Sequence, residues 1–351
     1  MRQVYLLFIV LLSSSHTIHL HGQIGGKEVF TFLTSSPSSR ISALGGSAIG
    51  ASSYRLGDAY INPASLSDTM HRALTFQHQF LFEGIQNGYA GYAHHLPKQN
   101  VTLHAAFNYL LYGDFSVRDE FGNLNGEANA TDLAVVIGGS YEVYEKLRVG
   151  INLKFISSRL EVYSSSGLAV DLGAQYETSP GGLTIGLALR NVGTQFSPYF
   201  EDRERLPTDL QLGFSNRLKY LPLRVGIIFH HLNRWNLLYD NPSQEGGFLF
   251  GNVEPNQPGA FDNFMRHVII NGEFILGKGG IFRVRFAYNH QLKQELSVTG
   301  FRNLTGVSGG FGIRLKRFAF DYSLAKVHFG GSTHHLGLST NLNYFTKNRI
   351  L

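Results

Sequence analysis

Cysteine is absent from this 351-residue chain, and that absence removes several functional classes at once. A protein without cysteine has no disulfide framework, no thiolate metal site, no cysteine nucleophile and no lipidated N-terminal cysteine. Charged residues make up only 16% of the chain, and its formal net charge is +5. The basic residues are not clustered, since the run from Arg314 to Arg317 is short, so nucleic-acid binding is not predicted.

The sequence is poor in methionine and tryptophan and rich in residues that favour strands and turns. It has 40 glycines, 27 phenylalanines and 17 tyrosines, against three methionines and one tryptophan. This mixture is typical of an all-β protein. Its mean hydropathy is close to zero, which excludes a bundle of membrane-spanning helices. A transmembrane β-barrel remains compatible, because polar residues facing the lumen offset the apolar residues facing lipid.

The first 22 residues have the outline of a secretory signal peptide. Arg2 precedes an uninterrupted apolar run from Val4 to Leu12, which is too short to cross a bilayer as a helix. We expect processing close to Gly22, with Gln23 as the first residue of the exported chain.

Strict alternation of apolar and polar residues is the main pattern in the remainder of the chain. In "LRVGINLKF", Leu147 to Phe155, every second residue is apolar, which predicts a strand with one apolar face. The pattern recurs at residues 183–190, 209–216, 282–289 and 311–316. Such segments from Ala73 to Leu342 predict about fourteen antiparallel strands, each long enough to cross a membrane when tilted.

The connections between these segments alternate in length. Short connections such as "PKQN" and "GKGG" are followed by long ones, which we expect at residues 113–130, 157–166, 193–207, 235–264 and 293–308. Outer-membrane barrels have short periplasmic turns and long external loops, whereas a soluble sandwich has water at both ends. The pattern therefore predicts a transmembrane barrel of the Gram-negative outer membrane. Tyrosines near strand ends would form its interfacial girdles, namely Tyr89, Tyr92, Tyr141, Tyr144, Tyr163 and Tyr344.

Residues 23–72 fit neither a strand nor an amphipathic helix. They are rich in glycine, alanine and serine, so they can pack closely without a core of their own. Gly45 and Gly46 are suited to positive φ, and Asn62 before Pro63 favours a turn. We interpret this segment as an N-terminal hatch, or plug, that starts on the periplasmic side and closes the lumen. The barrel would span residues 73–345, and residues 346–351 would form a C-terminal tail.

The hatch segment carries a family resemblance. "SRISALGGSAIG" followed by "DAYINPASL" resembles the hatch of FadL-type outer-membrane proteins, and its motif corresponds to Gly45, Gly46, Asn62, Pro63 and Ala64. Longer strings, including "LKFISSRLEVYSSSGLAVDLGAQY", resemble the PorQ branch of the PorV and FadL-like barrels, which belongs to the type IX secretion system of Bacteroidetes. The resemblance extends from Gly25 to about Asn343. One departure is the C-terminus, which continues past Tyr344 and Phe345 instead of ending on an aromatic residue.

The resemblance implies a non-enzymatic role in protein secretion. A PorQ-like barrel would anchor a PorZ-like surface protein of an attachment complex that also includes PorU and PorV, within outer-membrane lipid and lipopolysaccharide. Partner contacts would come from aromatic residues of the long loops, which are Tyr199, Phe200, Trp235 and Phe261.

Two other functions remain open. A FadL-type transporter of hydrophobic small molecules is the main alternative, although it would need an apolar path through the lumen. The polar residues expected to face inwards argue against such a path; they are Arg148, Asn152, Lys154, Arg190, Arg283 and Arg285. A soluble lectin-like or hydrolytic β domain would need a site that the sequence does not indicate.

No catalytic, metal or cofactor site is predicted. The histidine pairs at 94–95, 230–231 and 334–335 would point to opposite faces of a strand and could not chelate one ion. "GVSGG" at 306–310 has the spacing of a nucleophile elbow but precedes a strand, where that motif needs a helix. The acids Glu201, Asp202 and Glu204 alternate with arginines, and Asp119, Glu120 and Glu127 lack the spacing of a calcium loop.

Overall fold

The computed structural model describes residues 28–51, 55–119, 121–179, 182–238, 259–296, 304–328 and 331–346. The expected signal peptide and most of the C-terminal tail lie outside these residues, as do residues 239–258 of the longest expected loop.

Fourteen strands form the wall. The first seven are β1 (Ala73–Phe80), β2 (Gln86–Leu96), β3 (Val101–Arg118), β4 (Leu124–Tyr144), β5 (Leu147–Leu160), β6 (Tyr163–Glu177) and β7 (Thr184–Ser197). The others are β8 (Asp209–Arg217), β9 (Leu223–Phe229), β10 (Val268–Leu276), β11 (Phe282–Asn289), β12 (Val307–Arg314), β13 (Phe318–His328) and β14 (Gly331–Asn341). Four short helices accompany them: α1 (Ser39–Ala43), α2 (Ala260–Arg266), α3 (His290–Glu295) and α4 (Asn343–Thr346).

Each strand pairs antiparallel with the next, and β1 pairs with β14, so the sheet closes into a barrel. On β5, for example, the apolar side chains of Ile151, Leu153 and Phe155 are exposed on the outer face, while Asn152 and Lys154 between them are buried inside. A closed sheet leaves no unpaired edge and can present its apolar face to lipid. The predicted fold, a closed barrel of about fourteen strands with a plug in its lumen, is confirmed.

None of the helices in the described ranges is long and apolar enough to span a membrane.

The two ends of the barrel differ in their connections. We call one the turn end; its connections are residues 97–100, 145–146, 178–183, 218–222, 277–281 and 315–317. At the opposite, loop end, the described connecting residues are 81–85, 119, 121–123, 161–162, 198–208, 230–238, 259–267, 290–296 and 304–306. In outer-membrane barrels short turns face the periplasm and long loops face outwards, and we expect the same orientation here.

Two of the expected long loops are largely strand. In residues 113–130, β3 continues to Arg118 and β4 begins at Leu124, so the hairpin extends and only five residues form the turn. Asp119 closes this turn, because its Oδ1 accepts hydrogen bonds from the amides of Phe121 and Asn123 at 2.9 and 2.8 Å. In residues 157–166, only Glu161 and Val162 separate β5 from β6. The prediction was wrong because serine, asparagine and glycine were read as loop residues, although their backbones can pair as well as any others.

Tyr89 is also misplaced by the sequence prediction. It lies three residues from Tyr92, and a period of two places such residues on opposite faces. Tyr89 therefore points into the lumen, where its buried ring meets Tyr60 edge to face with centroids 6.0 Å apart. By contrast, the side chains of Tyr141, Tyr144, Tyr163 and Tyr344 are exposed.

Residues 28–51 and 55–72 fill the lumen, and we call them the plug. They contain α1 and single turns of 3-10 helix at Thr31–Thr34, Leu56–Tyr60, Pro63–Ser65 and Asp68–Met70. The first described residue of the plug does not lie at the turn end, where the sequence prediction placed this segment. Glu28 forms a bridge with Arg205 at the loop end, and the chain then descends until the Leu66 carbonyl accepts from Ser140 near the turn end. Its first residues stay at the loop end because Phe30 and Leu33 pack there against Leu110 and other buried apolar side chains.

Candidate functional site: the plugged lumen

The hatch motif Asn62, Pro63 and Ala64 is seated on a pair of glycines in the wall. Gly150 on β5 and Gly173 on β6 are direct cross-strand partners. A Cβ atom on Gly150 would lie 2.6 Å from the Pro63 carbonyl carbon, and one on Gly173 would lie 2.1 Å from Asn62 Oδ1. Asn62 Oδ1 also accepts from the Ala64 amide at 3.0 Å. The wall therefore provides a flat recess that only glycine allows, and the capped turn docks in it.

A second glycine pair holds the next part of the plug. Gly186 on β7 and Gly213 on β8 are cross-strand partners. A Cβ atom on Gly186 would lie 1.9 Å from the Ile49 carbonyl oxygen, and one on Gly50 would lie 2.3 Å from Gly213. Backbone thus packs directly against backbone.

The predicted motif glycines Gly45 and Gly46 follow α1. Their φ angles are +90° and +92°, a region that favours glycine. The Gly46 amide donates to the Ile41 carbonyl at 3.0 Å, so the two residues end the helix and turn the chain towards this second seat.

A buried network of charges joins the plug to the wall on the other side of the lumen. Its members are Arg40, Arg55 and Asp58 from the plug and Arg224, Glu273, Arg283, Arg285 and Asp321 from β9, β10, β11 and β13. Glu273 is the hub, since the nitrogen atoms of four arginines lie 2.8 to 3.8 Å from its carboxylate. Asp321 contacts Arg55 at 3.0 Å and Arg285 at 2.8 Å.

This network fastens α1 and the following segment to the wall. Arg40 also pairs with Asp58 at 2.5 Å, so the two halves of the plug are held to each other as well. Removing one partner of a buried ion pair leaves an uncompensated charge, which is strongly destabilising. The network therefore opposes movement of the plug.

The pairing of β6 with β7 is irregular at two places, and one of them lies beside Arg190. Pairing of β6 with β7 shifts register between Val170 and Leu172, and Asn191 has a positive φ of 55°. Asp171 stabilises this bulge, because its Oδ1 accepts from the Asn191 amide at 2.8 Å while its Oδ2 pairs with Lys154 at 2.7 Å. As a result Arg190 and Asn191, although consecutive, are both buried.

A cavity of about 590 Å³ lies at the loop end above the plug. Its polar lining includes Arg190, Asp209, His230 and Ser47, and its apolar lining includes Leu81, Ile269, Leu292 and Val307. We call it the loop-end cavity. Arg190 donates through one terminal nitrogen to the Leu33 carbonyl at 3.0 Å. Its Nε and the Nε2 of His230 are both buried and have no hydrogen-bond partner among the described residues.

His230 lies just beyond the end of β9. Burial lowers the pKa of its imidazole to about 3, so the ring is neutral at physiological pH. Arg190 forms no ion pair within the described ranges of the chain. The loop-end cavity thus contains the buried guanidinium of Arg190, the buried carboxylate of Asp209 and a neutral imidazole, and both Arg190 and His230 have an unused polar atom.

A second cavity, of about 600 Å³, lies on the other side of residues 28–31. Tyr112, Asp132, Ser158 and Tyr199 line it and form one hydrogen-bonded chain. Residues 28–31 and the connection 198–208 separate the two cavities, and the Val29 amide donates to the Arg205 carbonyl at 2.9 Å between them.

The four predicted partner residues occupy different environments. Phe200, Trp235 and Phe261 are exposed at the loop end, by 70, 59 and 77%. Trp235 stacks on His267 with ring centroids 5.1 Å apart. Tyr199 is half-buried and faces the second cavity, so it belongs to the lumen and not to the outer surface.

The residues considered for catalysis serve the structure. Ser308 of "GVSGG" lies on β12 and donates to the Ala43 carbonyl of the plug at 3.3 Å. In the pairs at 94–95 and 334–335 one histidine is exposed and the next is turned inwards. His230 and His231 follow β9 and have ring centroids 4.8 Å apart, so the expectation of opposite faces fails for this pair. Among the described residues, no group of three or more histidine, aspartate or glutamate side chains is placed to hold a metal ion.

Solved structures with a similar fold include two monoaromatic hydrocarbon channels. The deltaS2S3 mutant of TodX aligns with a TM-score of 0.51 and 12% identity, covering 86% of this chain and 96% of that one. CymD aligns with a TM-score of 0.50 and 14% identity, covering 88% and 97%. No protein-family model and no curated protein matches the sequence. At this level of identity the likeness concerns the fold, and the chain folds as an outer-membrane β-barrel with a plugged lumen.

Proposed function

We propose that this protein is a non-enzymatic outer-membrane channel for small amphiphilic molecules, which enter at the loop-end cavity and pass when the plug rearranges. The loop-end cavity carries the proposal, because it presents buried polar atoms without partners beside an apolar wall. The fold of TodX and CymD, which are monoaromatic hydrocarbon channels, supports the same class of function.

The lining of the loop-end cavity favours a ligand with one polar group and a small apolar body. The guanidinium of Arg190 and the imidazole of His230 would bind an acceptor atom, and Leu81, Ile269 and Val307 would pack against the apolar part. A purely apolar ligand would leave both polar atoms unsatisfied. The sequence analysis considered a transporter of hydrophobic small molecules. The lining of the cavity favours amphiphilic molecules as the ligand class instead.

Passage through the lumen requires movement of the plug. Leu33, Tyr60, Ile61 and Leu66 have no exposed surface, and the glycine seats bring plug and wall into direct contact. We infer that a ligand in the loop-end cavity competes for contacts of residues 28–47, which line it from below.

Replacing Arg190 with glutamine should weaken ligand binding about tenfold or more, because a hydrogen bond to a charged group contributes about 1.5 to 3 kcal/mol. Benzenesulfonate is a suitable probe, since it is monoaromatic, permanently anionic and does not cross lipid by itself. Its uptake into proteoliposomes should depend on the protein and fall in Arg190→Gln. Arg203→Gln, which alters an exposed arginine of the connection 198–208, should behave as the wild type. Protein-independent uptake, or equal uptake by both variants, would contradict the proposal.

Anchoring of a PorZ-like surface protein in type IX secretion is the second candidate. It is supported by the sequence resemblance and by three exposed aromatic side chains at the loop end, Phe200, Trp235 and Phe261. Exposed aromatic residues of this kind often dominate binding energy at protein interfaces.

The test of anchoring is a pull-down in mild detergent from outer membranes of a producing Bacteroidetes cell. A PorZ-like protein, with or without PorU and PorV, should be recovered in stoichiometric yield and lost when Phe200, Trp235 and Phe261 are changed to alanine. Tyr199→Phe is the matched control, because Tyr199 faces the second cavity. Recovery of the barrel alone would reject anchoring and leave the channel function.

A further inference from the structure

The turn end of the barrel carries a ring of lysines. Five of its six turns contain one lysine each, and these residues are Lys98, Lys146, Lys219, Lys278 and Lys316. Arg317 adds a sixth positive charge, and Glu145 is the single acidic residue in the sequence of these turns. At the loop end the balance is reversed, since acidic residues outnumber basic ones in the connections. The barrel is therefore polarised along its axis.

Exposed apolar side chains accompany the lysines. Tyr144 lies next to the turn of Lys146, Tyr220 and Leu221 follow Lys219, and Leu315 precedes Lys316. Tyr220 is 88% exposed and Leu221 55%. Tyrosine and lysine side chains with this arrangement are typical of the membrane interface, where apolar parts enter the bilayer and charged groups reach the headgroups.

A shallow recess in this ring lies between the turns 178–183 and 218–222. It measures about 470 Å³ and is lined by Arg217, Lys219 and Tyr220, among others. Neither Arg217 nor Lys219 forms an ion pair with another described residue. Lys219 Nζ lies 5.6 Å from the centroid of the Tyr220 ring, so a cation and an aromatic face are presented together.

We propose that the lysine ring binds the anionic phospholipid headgroups of the leaflet that surrounds the turn end, with Arg217 and Lys219 forming the strongest single site. Two observations favour lipid over an acidic protein. The lysines are distributed around the circumference, where a leaflet but not a single docked protein contacts all of them. The neighbouring tyrosine and leucine side chains also need an apolar phase. The ring would fix the depth and orientation of the barrel whatever passes through its lumen.

The ring can be tested with a fluorescent reporter at its strongest site. The chain has one tryptophan, Trp235, which lies at the loop end. A Tyr220→Trp, Trp235→Phe variant therefore reports only on the turn end. The reporter is placed in phosphatidylcholine vesicles that contain the same minor fraction of either brominated phosphatidylglycerol or brominated phosphatidylcholine. At low ionic strength, the quenching should show that phosphatidylglycerol is enriched about fivefold next to the reporter relative to phosphatidylcholine. The enrichment should disappear at about 1 M salt, where the Debye length is near 3 Å.

Substitution of the lysines provides the matched pair of variants. In the reporter background, changing the five lysines to glutamine should remove the enrichment, and changing them to arginine should retain it. Insertion of each variant is checked by its heat-dependent mobility on a gel. If the variant with all five lysines changed does not insert, Lys219→Gln alone is used in its place. Equal quenching by the two brominated lipids in the unsubstituted reporter would overturn the proposal. Loss of enrichment on adding millimolar inorganic phosphate would also overturn it, because the site would then bind a free anion and not a lipid.

Discussion

Replacing Glu273 with glutamine should release the plug. The carboxylate of Glu273 is the shared partner of Arg40, Arg224, Arg283 and Arg285, and it is the point where β10 holds α1. Glutamine has nearly the same shape but no charge, so four buried guanidinium groups lose their common counter-charge. Breaking a buried pair in this way costs about 3 to 5 kcal/mol. We expect a lower thermal stability and, in planar bilayers, a frequently open channel where the wild type is mostly closed.

Glu145→Gln is the control for this prediction. Glu145 is exposed at the turn end, and its substitution removes the same charge without touching the lumen. A Glu273→Gln protein as stable and as closed as the wild type would show that the ion network does not hold the plug. A less stable protein that stays closed would show that the network supports the wall but not the gate.

Replacing Gly186 with alanine should displace the second part of the plug. The new Cβ would lie 1.9 Å from the Ile49 carbonyl oxygen, and this neighbour is backbone, which cannot rotate away. Overpacking of this kind typically costs about 1 to 3 kcal/mol. The turn at Ile49 and Gly50 should leave its seat, so that limited proteolysis cuts within residues 45–60 and channel opening increases.

Gly309→Ala is the control, because it makes the same substitution at a strand position that has room for the added Cβ atom. Gly309 lies on β12, and an added Cβ would meet the Arg285 carbonyl oxygen at 3.4 Å, an ordinary contact. Its stability should equal or slightly exceed that of the wild type, because alanine restricts the unfolded chain more than glycine does. Similar proteolysis of both variants would show that strand glycines matter for reasons other than the plug seats.

The sequence predicted the wall well because the wall depends on local periodicity. Alternation identified β5 and β11 within a few residues, and it placed Lys154, Arg190 and Arg285 inside the lumen, where they are buried. A glycine within an alternating strand could also have been interpreted from the sequence. Gly150 interrupts "LRVGINLKF", and a glycine at such a position often marks close approach of another backbone.

The contacts across the lumen could not be predicted from the sequence. Glu273 looks like any inward polar residue of β10, and only closure of the barrel brings it within reach of Arg40, which is 233 positions earlier in the sequence. The bulge at Asn191 was hidden for the same reason, since it depends on Asp171 of the neighbouring strand. The direction of the plug was predicted wrongly because small-residue segments contain no periodic signal that orients them.

The most direct test of gating by the plug is to measure passage of a probe while the plug is tethered to the wall. Ser39 Oγ on α1 donates to Gln77 Oε1 on β1 at 3.0 Å, and the chain has no native cysteine. A Ser39→Cys, Gln77→Cys protein can therefore be cross-linked across this contact with a short bifunctional thiol reagent. Uptake of benzenesulfonate into proteoliposomes should stop on cross-linking and return when the link is cleaved. Undiminished uptake through the tethered protein would contradict a channel gated by its plug.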